Sequence, residues 1–338
     1  MRHHYCIGMR PLIVVCLSTA LLAQAPKSGP SKTAPPPDDQ PAAISVDVDV
    51  VSVLASVRDK RGGLVANLEK NDFTILEDGK PQEIKYFTRE TDLPLTIGLL
   101  VDVSRSQENL IGIERSAATA FFSKVLRKKD EAFLISFGEE SELLQDYTSS
   151  VRLLEDGLNQ LRVSGGVGGL HPGPVPTAGQ PRGTVLYDAV YLAATEKLRG
   201  EVGRKVIVLI TDGVDEGSKL TRNQAVEAAQ KADAVIYSIF YQDAGFYGPF
   251  SFGGNGEAEL HKMSDETGGR VFKVDRKHPL EEAFQELQDE MRSQYSIGYT
   301  PTNDVKDGSY RKVDIRLANK DLKAQARKGY YAIKPGSR

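Results

Sequence analysis

Four short apolar runs, separated by segments of mixed polarity, constrain the fold of this chain more than any other feature. They span residues 95–101, 132–137, 206–210 and 234–241 and are almost uniformly hydrophobic. Such runs are typical of parallel strands that are buried on both faces. Apolar residues at spacings of three and four indicate helices between and after them, at Leu110, Ile113, Ala117 and Phe121, at Val185, Ala189 and Ala193, and at Leu280, Phe284, Leu287 and Met291. This alternation predicts an α/β domain with a doubly wound, mostly parallel sheet over residues 93–292.

Strand patterns flank this domain on both sides, in residues 44–92 and 293–334. On the N-terminal side apolar and polar residues alternate from Ile44, and residues 73–79 indicate a strand that ends in the turn pair Asp78-Gly79, with 83–88 as its hairpin partner. On the C-terminal side three strands are predicted, at 294–299, 310–317 and 323–331. Because neither flank is large enough to bury a core alone, we expect one β-sandwich into which the α/β domain is inserted. Two separate small β appendages are the alternative.

Residues 1–25 have the pattern of a secretory signal peptide. Arg2 and Arg10 supply positive charge, residues 12–23 are apolar, and Ala23-Gln24-Ala25 offers small residues for cleavage. Cleavage after Ala23 is a second option because Pro26 disfavours a cut directly before it. An uncleaved anchor is the alternative, but residues 11–23 are shorter than the roughly 20 residues that span a bilayer. We therefore expect an exported protein, periplasmic or secreted, with no stable membrane span after cleavage.

Residues 26–43 contain six prolines among polar residues, which is typical of an exposed, semi-rigid linker. Both cysteines, Cys6 and Cys16, precede it, so the mature chain is expected to contain no disulfide. The formal net charge of the chain is -3. This balance implies no broad basic surface and argues against a nucleic-acid partner or attraction to anionic lipids.

Oxygen-bearing side chains follow two of the predicted strands and begin one helix. Asp102, Ser104 and Ser106 come directly after the first apolar run, Asp212 follows the third, and Thr184 precedes a helix. Ligands of open α/β sheets bind outside the carboxyl ends of the strands, where these loops are expected to meet. Two carboxylates and three hydroxyls without His or Cys suit Mg²⁺, Mn²⁺ or Ca²⁺ better than zinc or copper. Helix capping explains any one of these residues, but all five together favour a metal site.

The pattern Asp102-x-Ser104-x-Ser106, then Thr184, then Asp212 in Thr-Asp-Gly resembles the metal-ion-dependent adhesion site of von Willebrand factor type A domains. The resemblance covers about residues 93–291 and implies a Rossmann-like fold. It also implies that the three hydroxyls bind Mg²⁺ directly and that the two carboxylates act through bound water. An open coordination position would accept an acidic residue of a protein partner. Arg105 departs from the pattern, because many members have glycine there.

A second resemblance lies in the N-terminal flank, from Leu68 through Asp72-Phe73 to Glu77-Asp78-Gly79 and Pro81-Gln82. This segment is similar to one that precedes the type A domain in an exported bacterial group typical of acidobacteria. The resemblance to the type A metal site implies a non-enzymatic, adhesion-type protein-binding module, and the second resemblance adds little about function.

Two other functions remain open at this point. A metal-assisted hydrolase needs a nucleophile or base beside the metal, and Asp102 could attack only with a second acidic residue at position 104, which is Ser. A structural envelope protein whose type A domain does not depend on metal is the other alternative.

The sequence also predicts where two long loops lie and which face of the last helix is exposed. Residues 164–182 and 243–256, the second with Phe246, Tyr247, Phe250 and Phe252, are expected at the metal-bearing edge as a specificity surface. Disorder or local packing is the alternative for both loops. The acidic residues of the last helix are expected on a solvated outer face, at Glu281, Glu282, Glu286, Asp289 and Glu290.

Overall fold

A computed structural model describes residues 50–89, 93–164, 183–242 and 255–333. These residues all belong to one compact unit, 48–338. The predicted signal peptide, the linker and most of the two long loops lie outside the described residues. In the ranges that are described, helices are too short or too polar to cross a membrane.

A six-stranded sheet forms the centre of the described structure, with strand order β10-β9-β8-β5-β6-β7. Its strands are β5 (Leu95–Asp102), β6 (Glu131–Phe137), β7 (Ser141–Thr148), β8 (Arg204–Thr211), β9 (Ala234–Phe240) and β10 (Val271–Lys273). All neighbours are parallel except β6 and β7. The prediction of a doubly wound, mostly parallel sheet is confirmed.

Helices cover both faces of this sheet. They are α1 (Ile111–Val125), α2 (Val151–Leu158), α3 (Leu186–Leu192, continued by a π-helix at Ala193–Leu198), α4 (Arg222–Lys231), α5 (Gly256–Thr267) and α6 (Leu280–Arg292). Helices α1, α2 and α6 pack on the face that carries Leu99 and Val101, whereas α3, α4 and α5 pack on the face that carries Leu100 and Ile207. This is the Rossmann-like arrangement that the type A resemblance implies.

The two flanking segments share a pair of four-stranded sheets. One has the order β13-β1-β11-β4 and the other β14-β12-β2-β3. The strands are β1 (Val51–Arg58), β2 (Phe73–Glu77), β3 (Lys80–Gln82), β4 (Ile84–Arg89), β11 (Tyr295–Tyr299), β12 (Tyr310–Leu317), β13 (Lys323–Ala326) and β14 (Gly329–Tyr331). Each sheet combines strands from before and after the α/β domain, and their apolar side chains form one core.

Two details of these sheets differ from the prediction. The hairpin partner of β2 is β3, and residues 84–89 instead form β4, which pairs with β11 in the other sheet. Asp78 and Gly79 both have positive φ, 48° and 80°, so the turn between β2 and β3 is tight and needs no further residues. The single strand predicted at 323–331 is two strands in different sheets. It is interrupted where the backbone of Arg327 and Lys328 pairs with Thr267 and Glu266 of the α/β domain.

Glu290 corrects the prediction that the acidic residues of the last helix are all solvated. Its side chain is fully buried, whereas the other four are exposed. The carboxylate accepts hydrogen bonds from Ser56 Oγ at 3.0 Å and from Arg58 at 2.6 Å, and Arg270 lies 3.2 Å away. Glu290 therefore joins α6 to β1 of the sandwich.

We expect Glu290→Gln to lower the free energy of unfolding by about 1–3 kcal/mol, because it leaves Arg58 without its counter-charge, whereas Arg270 retains its ion pair with Glu286. The loss is limited because both arginine side chains reach solvent, with exposures of 20% and 27%. Urea denaturation measures it, with the exposed Glu282→Gln as the matched control on the same helix. Equal stabilities of the two variants would show that the buried ion pair contributes nothing.

Candidate metal centre

Adjacent parallel strands bring four of the five predicted ligands together, and Thr184 is not among the four. β5 ends at Asp102 and β8 at Thr211, and the two strands pair in register with Val101 opposite Ile210. The loops that follow them therefore leave the same edge of the sheet. The first loop continues through a short 3₁₀ turn, Arg105–Gln107, into α1.

Hydrogen bonds join four of the five predicted ligand residues, namely Asp102, Ser104, Ser106 and Asp212. Ser106 Oγ donates to Asp212 Oδ2 at 2.6 Å, and the hydroxyls of Ser104 and Ser106 are 3.0 Å apart. The backbone N–H of Ser104 donates to Asp102 Oδ1 at 2.9 Å. Asp102, Ser106 and Asp212 are buried and Ser104 is half-buried. The result is a compact group of carboxylate and hydroxyl oxygens.

Thr184 reaches this edge through its backbone. Its carbonyl accepts hydrogen bonds from the N–H groups of Glu216 and Gly217, at 3.1 and 3.0 Å, in the loop that follows Asp212. The next residue, Val185, donates to the carbonyl of Gly138 after β6. A Cβ atom at Gly217 would collide with the carbonyl of Gly183, so this close approach of two loops requires glycine.

Burial and mutual repulsion determine the electrostatics of the two carboxylates. Burial raises the pKa of Asp102 to about 7, and the negative charge of Asp212 contributes to the increase. Hydrogen bonds from Thr211 and Ser104 act in the opposite direction. A cation between the two carboxylates would relieve both effects, so the residues present fit a metal site.

The donor set narrows the choice of ion. Within the described ranges, no three His, Cys, Asp or Glu side chains gather to hold a metal. The candidate centre therefore needs its hydroxyls as well as its two carboxylates. Oxygen donors of this kind favour hard cations such as Mg²⁺.

Sequence reasoning missed three buried residues beside the centre. Thr211 is fully buried and donates to Asp102 Oδ2 at 2.6 Å, so it orients that carboxylate. Gln107 and Glu114 are also fully buried. The helical pattern had placed Ile113 in the apolar stripe of α1, but Ile113 is 46% exposed and Glu114 takes the inward position. The spacing of four from Leu110 to Glu114 was the signal that could have found it.

Comparisons with known proteins yield only distant structural likenesses. No protein-family model and no curated protein matches the chain. A von Willebrand factor type A protein from Catenulispora acidiphila is 12% identical with a TM-score of 0.44, over 78% of this chain and 74% of that one. Proximal thread matrix protein 1 of the mussel byssus, with a zinc-occupied MIDAS motif, is 13% identical with a TM-score of 0.43, over 62% and 48%.

An aerotolerance-related membrane protein from Bacteroides fragilis is 16% identical with a TM-score of 0.42, over 58% of this chain and 98% of that one. All these TM-scores lie below 0.5, so the likenesses assign no activity or partner to the chain. The function of the chain is therefore inferred from the residues of the chain itself.

Proposed function

We propose that this chain is an exported protein-binding module that holds a divalent cation. The expected ion is Mg²⁺, and the module uses it to capture an acidic residue of a partner protein. The observation that carries the proposal is the convergence of Asp102, Ser104, Ser106 and Asp212 at the carboxyl edge of the sheet. Thr184 is the proposed fifth ligand, because its backbone is fastened to the loop that follows Asp212.

The chemistry of the donors explains why the partner should be acidic. Ser104, Ser106 and Thr184 would bind the ion through neutral oxygens, which leave its positive charge largely uncompensated. The ion, when bound, would supply an attraction for an anionic oxygen. Asp102 and Asp212 would hold it in place, and Thr211 fixes the orientation of Asp102 through the 2.6 Å hydrogen bond.

The placement of the sandwich supports a role in presenting this edge to a partner. The chain passes from β4 into the amino end of β5, and it leaves the domain through α6 into β11. Arg204, at the amino end of β8, donates to the carbonyl of Met291 near the end of α6 at 2.5 Å. Both connections to the sandwich thus lie opposite the edge that carries the candidate metal centre.

Binding is proposed rather than catalysis because of the groups that line the centre. In the part of the chain that the structure describes, they are carboxylates and hydroxyls bonded to one another and to backbone N–H groups. The signal-like residues 1–25 support export, to the periplasm or beyond.

The direct test is metal-dependent capture of a partner. The immobilised protein, lacking residues 1–25, is incubated with envelope proteins of the producing organism in Mg²⁺ or EDTA, and captured proteins are purified and rebound singly. We expect a partner whose binding is lost in EDTA, restored by Mg²⁺, and weakened when one of its own acidic residues is replaced. Ser116→Ala, an exposed hydroxyl on α1, is the control variant and should bind normally.

Three outcomes would contradict the proposal or part of it. Partner binding that is equally strong in EDTA would favour a structural protein that needs no metal. Metal-dependent turnover of phosphoesters by the purified protein, lost in Asp212→Asn, would favour a hydrolase. Restoration by Mn²⁺ or Ca²⁺ but not by Mg²⁺ would overturn the assignment of the ion.

A further inference from the structure

A buried acidic residue lies on α1, the helix that follows the candidate metal loop. Glu114 is in the first turn of the helix, where its N–H donates to the carbonyl of Leu110 at 2.9 Å. Its side chain is fully buried, and neither carboxyl oxygen has a hydrogen-bond partner within the described ranges. Buried polar atoms without partners are rare in native proteins, and each needs a physical explanation.

A second unsatisfied side chain lies in the turn that connects the loop to this helix. Gln107 follows Ser106 directly, and its backbone N–H donates to the carbonyl of Ser104 at 3.0 Å. The side chain is fully buried, and both its amide oxygen and its nitrogen lack partners among the described residues. Polar side chains without partners are therefore found twice between Ser106 and the end of the first turn of α1.

The electrostatic environment connects Glu114 to the ligand set. Burial raises the pKa of Glu114 well above its usual range, and the negative charge of Asp102 raises it further. Ile111, on the same buried side of α1, packs in one core with Val101 and Val103, which precede and follow Asp102. Among the described residues, no Lys or Arg side chain forms an ion pair with Glu114. An ionised carboxylate in such surroundings is strongly unfavourable unless a cation lies nearby.

We propose that Glu114 is a positioning residue of the metal centre, whose buried carboxylate increases the affinity of the site for its cation without binding the ion itself. The inference rests on the proposed function, because it presupposes a cation held by Asp102 and Asp212. That cation is the counter-charge that Glu114 lacks in the protein alone.

The variant Glu114→Gln tests the charge of the Glu114 side chain while nearly preserving its shape. Glutamine has nearly the shape of a neutral carboxyl group and cannot carry its negative charge, so the metal-free protein should retain its stability. The dissociation constant for Mg²⁺ should rise by about tenfold or more, as it does when groups just outside a ligand set are replaced. Glu108→Gln is the matched control, because Glu108 is exposed, close to Ser106 in sequence, and screened by salt. It should leave the dissociation constant nearly unchanged.

The experiment is isothermal titration of the metal-free wild type and variants with MgCl₂ at physiological ionic strength, with thermal melting in EDTA as the check on folding. Glu114→Asp, which retains the charge, should bind more tightly than Glu114→Gln. Equal affinities of wild type and Glu114→Gln would overturn this inference alone. Equal weakening in Glu114→Asp and Glu114→Gln would also overturn it, since shape rather than charge would then matter. A wild type that binds no ion would instead overturn the proposed function.

Discussion

The variant Asp212→Asn is expected to lose the stabilisation that Mg²⁺ confers on the wild-type protein. At a free Mg²⁺ concentration about 100 times the dissociation constant, a single site stabilises the folded state by about 2.7 kcal/mol. Asparagine retains the size of aspartate and an acceptor for the Val214 N–H, which donates to Asp212 Oδ1 at 3.1 Å. It removes the negative charge that the ion requires, so the increase in melting temperature with Mg²⁺ should disappear.

Two comparisons make this result interpretable. In EDTA the variant should melt close to the wild type, because loss of the Asp212 charge removes repulsion of the buried Asp102 and so offsets the lost hydrogen bond from Ser106 to Asp212 Oδ2. Ser116→Ala, which alters an exposed hydroxyl of α1, should keep the full response to Mg²⁺. If Asp212→Asn keeps the wild-type response, Asp212 is not part of a cation site.

Removal of Glu77 is expected to be the most destabilising single change in the sandwich. The carboxylate accepts hydrogen bonds from the hydroxyls of Tyr299 and Tyr330, both at 2.8 Å, and Arg311 lies 3.4 Å away. Glu77 belongs to β2 and Tyr299 to β11, so this network joins the two sheets. The side chains of Arg311 and Glu77 are only 4% and 2% exposed.

Glu77→Ala should therefore lower the free energy of unfolding by about 3–5 kcal/mol, because it leaves the buried charge of Arg311 uncompensated. Urea denaturation measures the loss. The exposed Glu83→Ala, which removes a surface ion pair with Lys85, should cost less than about 1 kcal/mol. The double variant Glu77→Leu, Arg311→Met should recover much of the loss, since it removes both buried charges. A loss of less than about 1 kcal/mol in Glu77→Ala would mean that the network does not hold the sheets together.

The sequence predicted the central strands well because burial on both faces leaves an unbroken apolar run. β5, β6, β8 and β9 all have this pattern, and their observed bounds lie within two residues of the expected ones. The two edge strands of the central sheet, β7 and β10, were not predicted, for different reasons. β7 is antiparallel and largely solvent-facing, so its residues are mixed in polarity, and β10 has only three residues.

The metal loops could also be predicted from the sequence, because Asp102 is the last residue of β5 and Asp212 directly follows β8. The buried acids were not. Glu77 and Glu290 are stabilised by arginines more than 200 residues away, Arg311 and Arg58, and a local pattern carries no information about such pairs. Glu114 is the exception, since it interrupts the apolar stripe of an otherwise regular helix.

Crystals of the protein soaked in Mn²⁺, with anomalous scattering recorded at the manganese edge, test the central claim most directly. We expect one anomalous peak at the carboxyl edge of the sheet, within bonding distance of Ser104, Ser106 and Thr184 and close to Asp102 and Asp212. The same peak should be absent from crystals of Asp212→Asn. An ion bound elsewhere, or a Thr184 hydroxyl pointing away from the bound ion, would contradict the proposed ligand set.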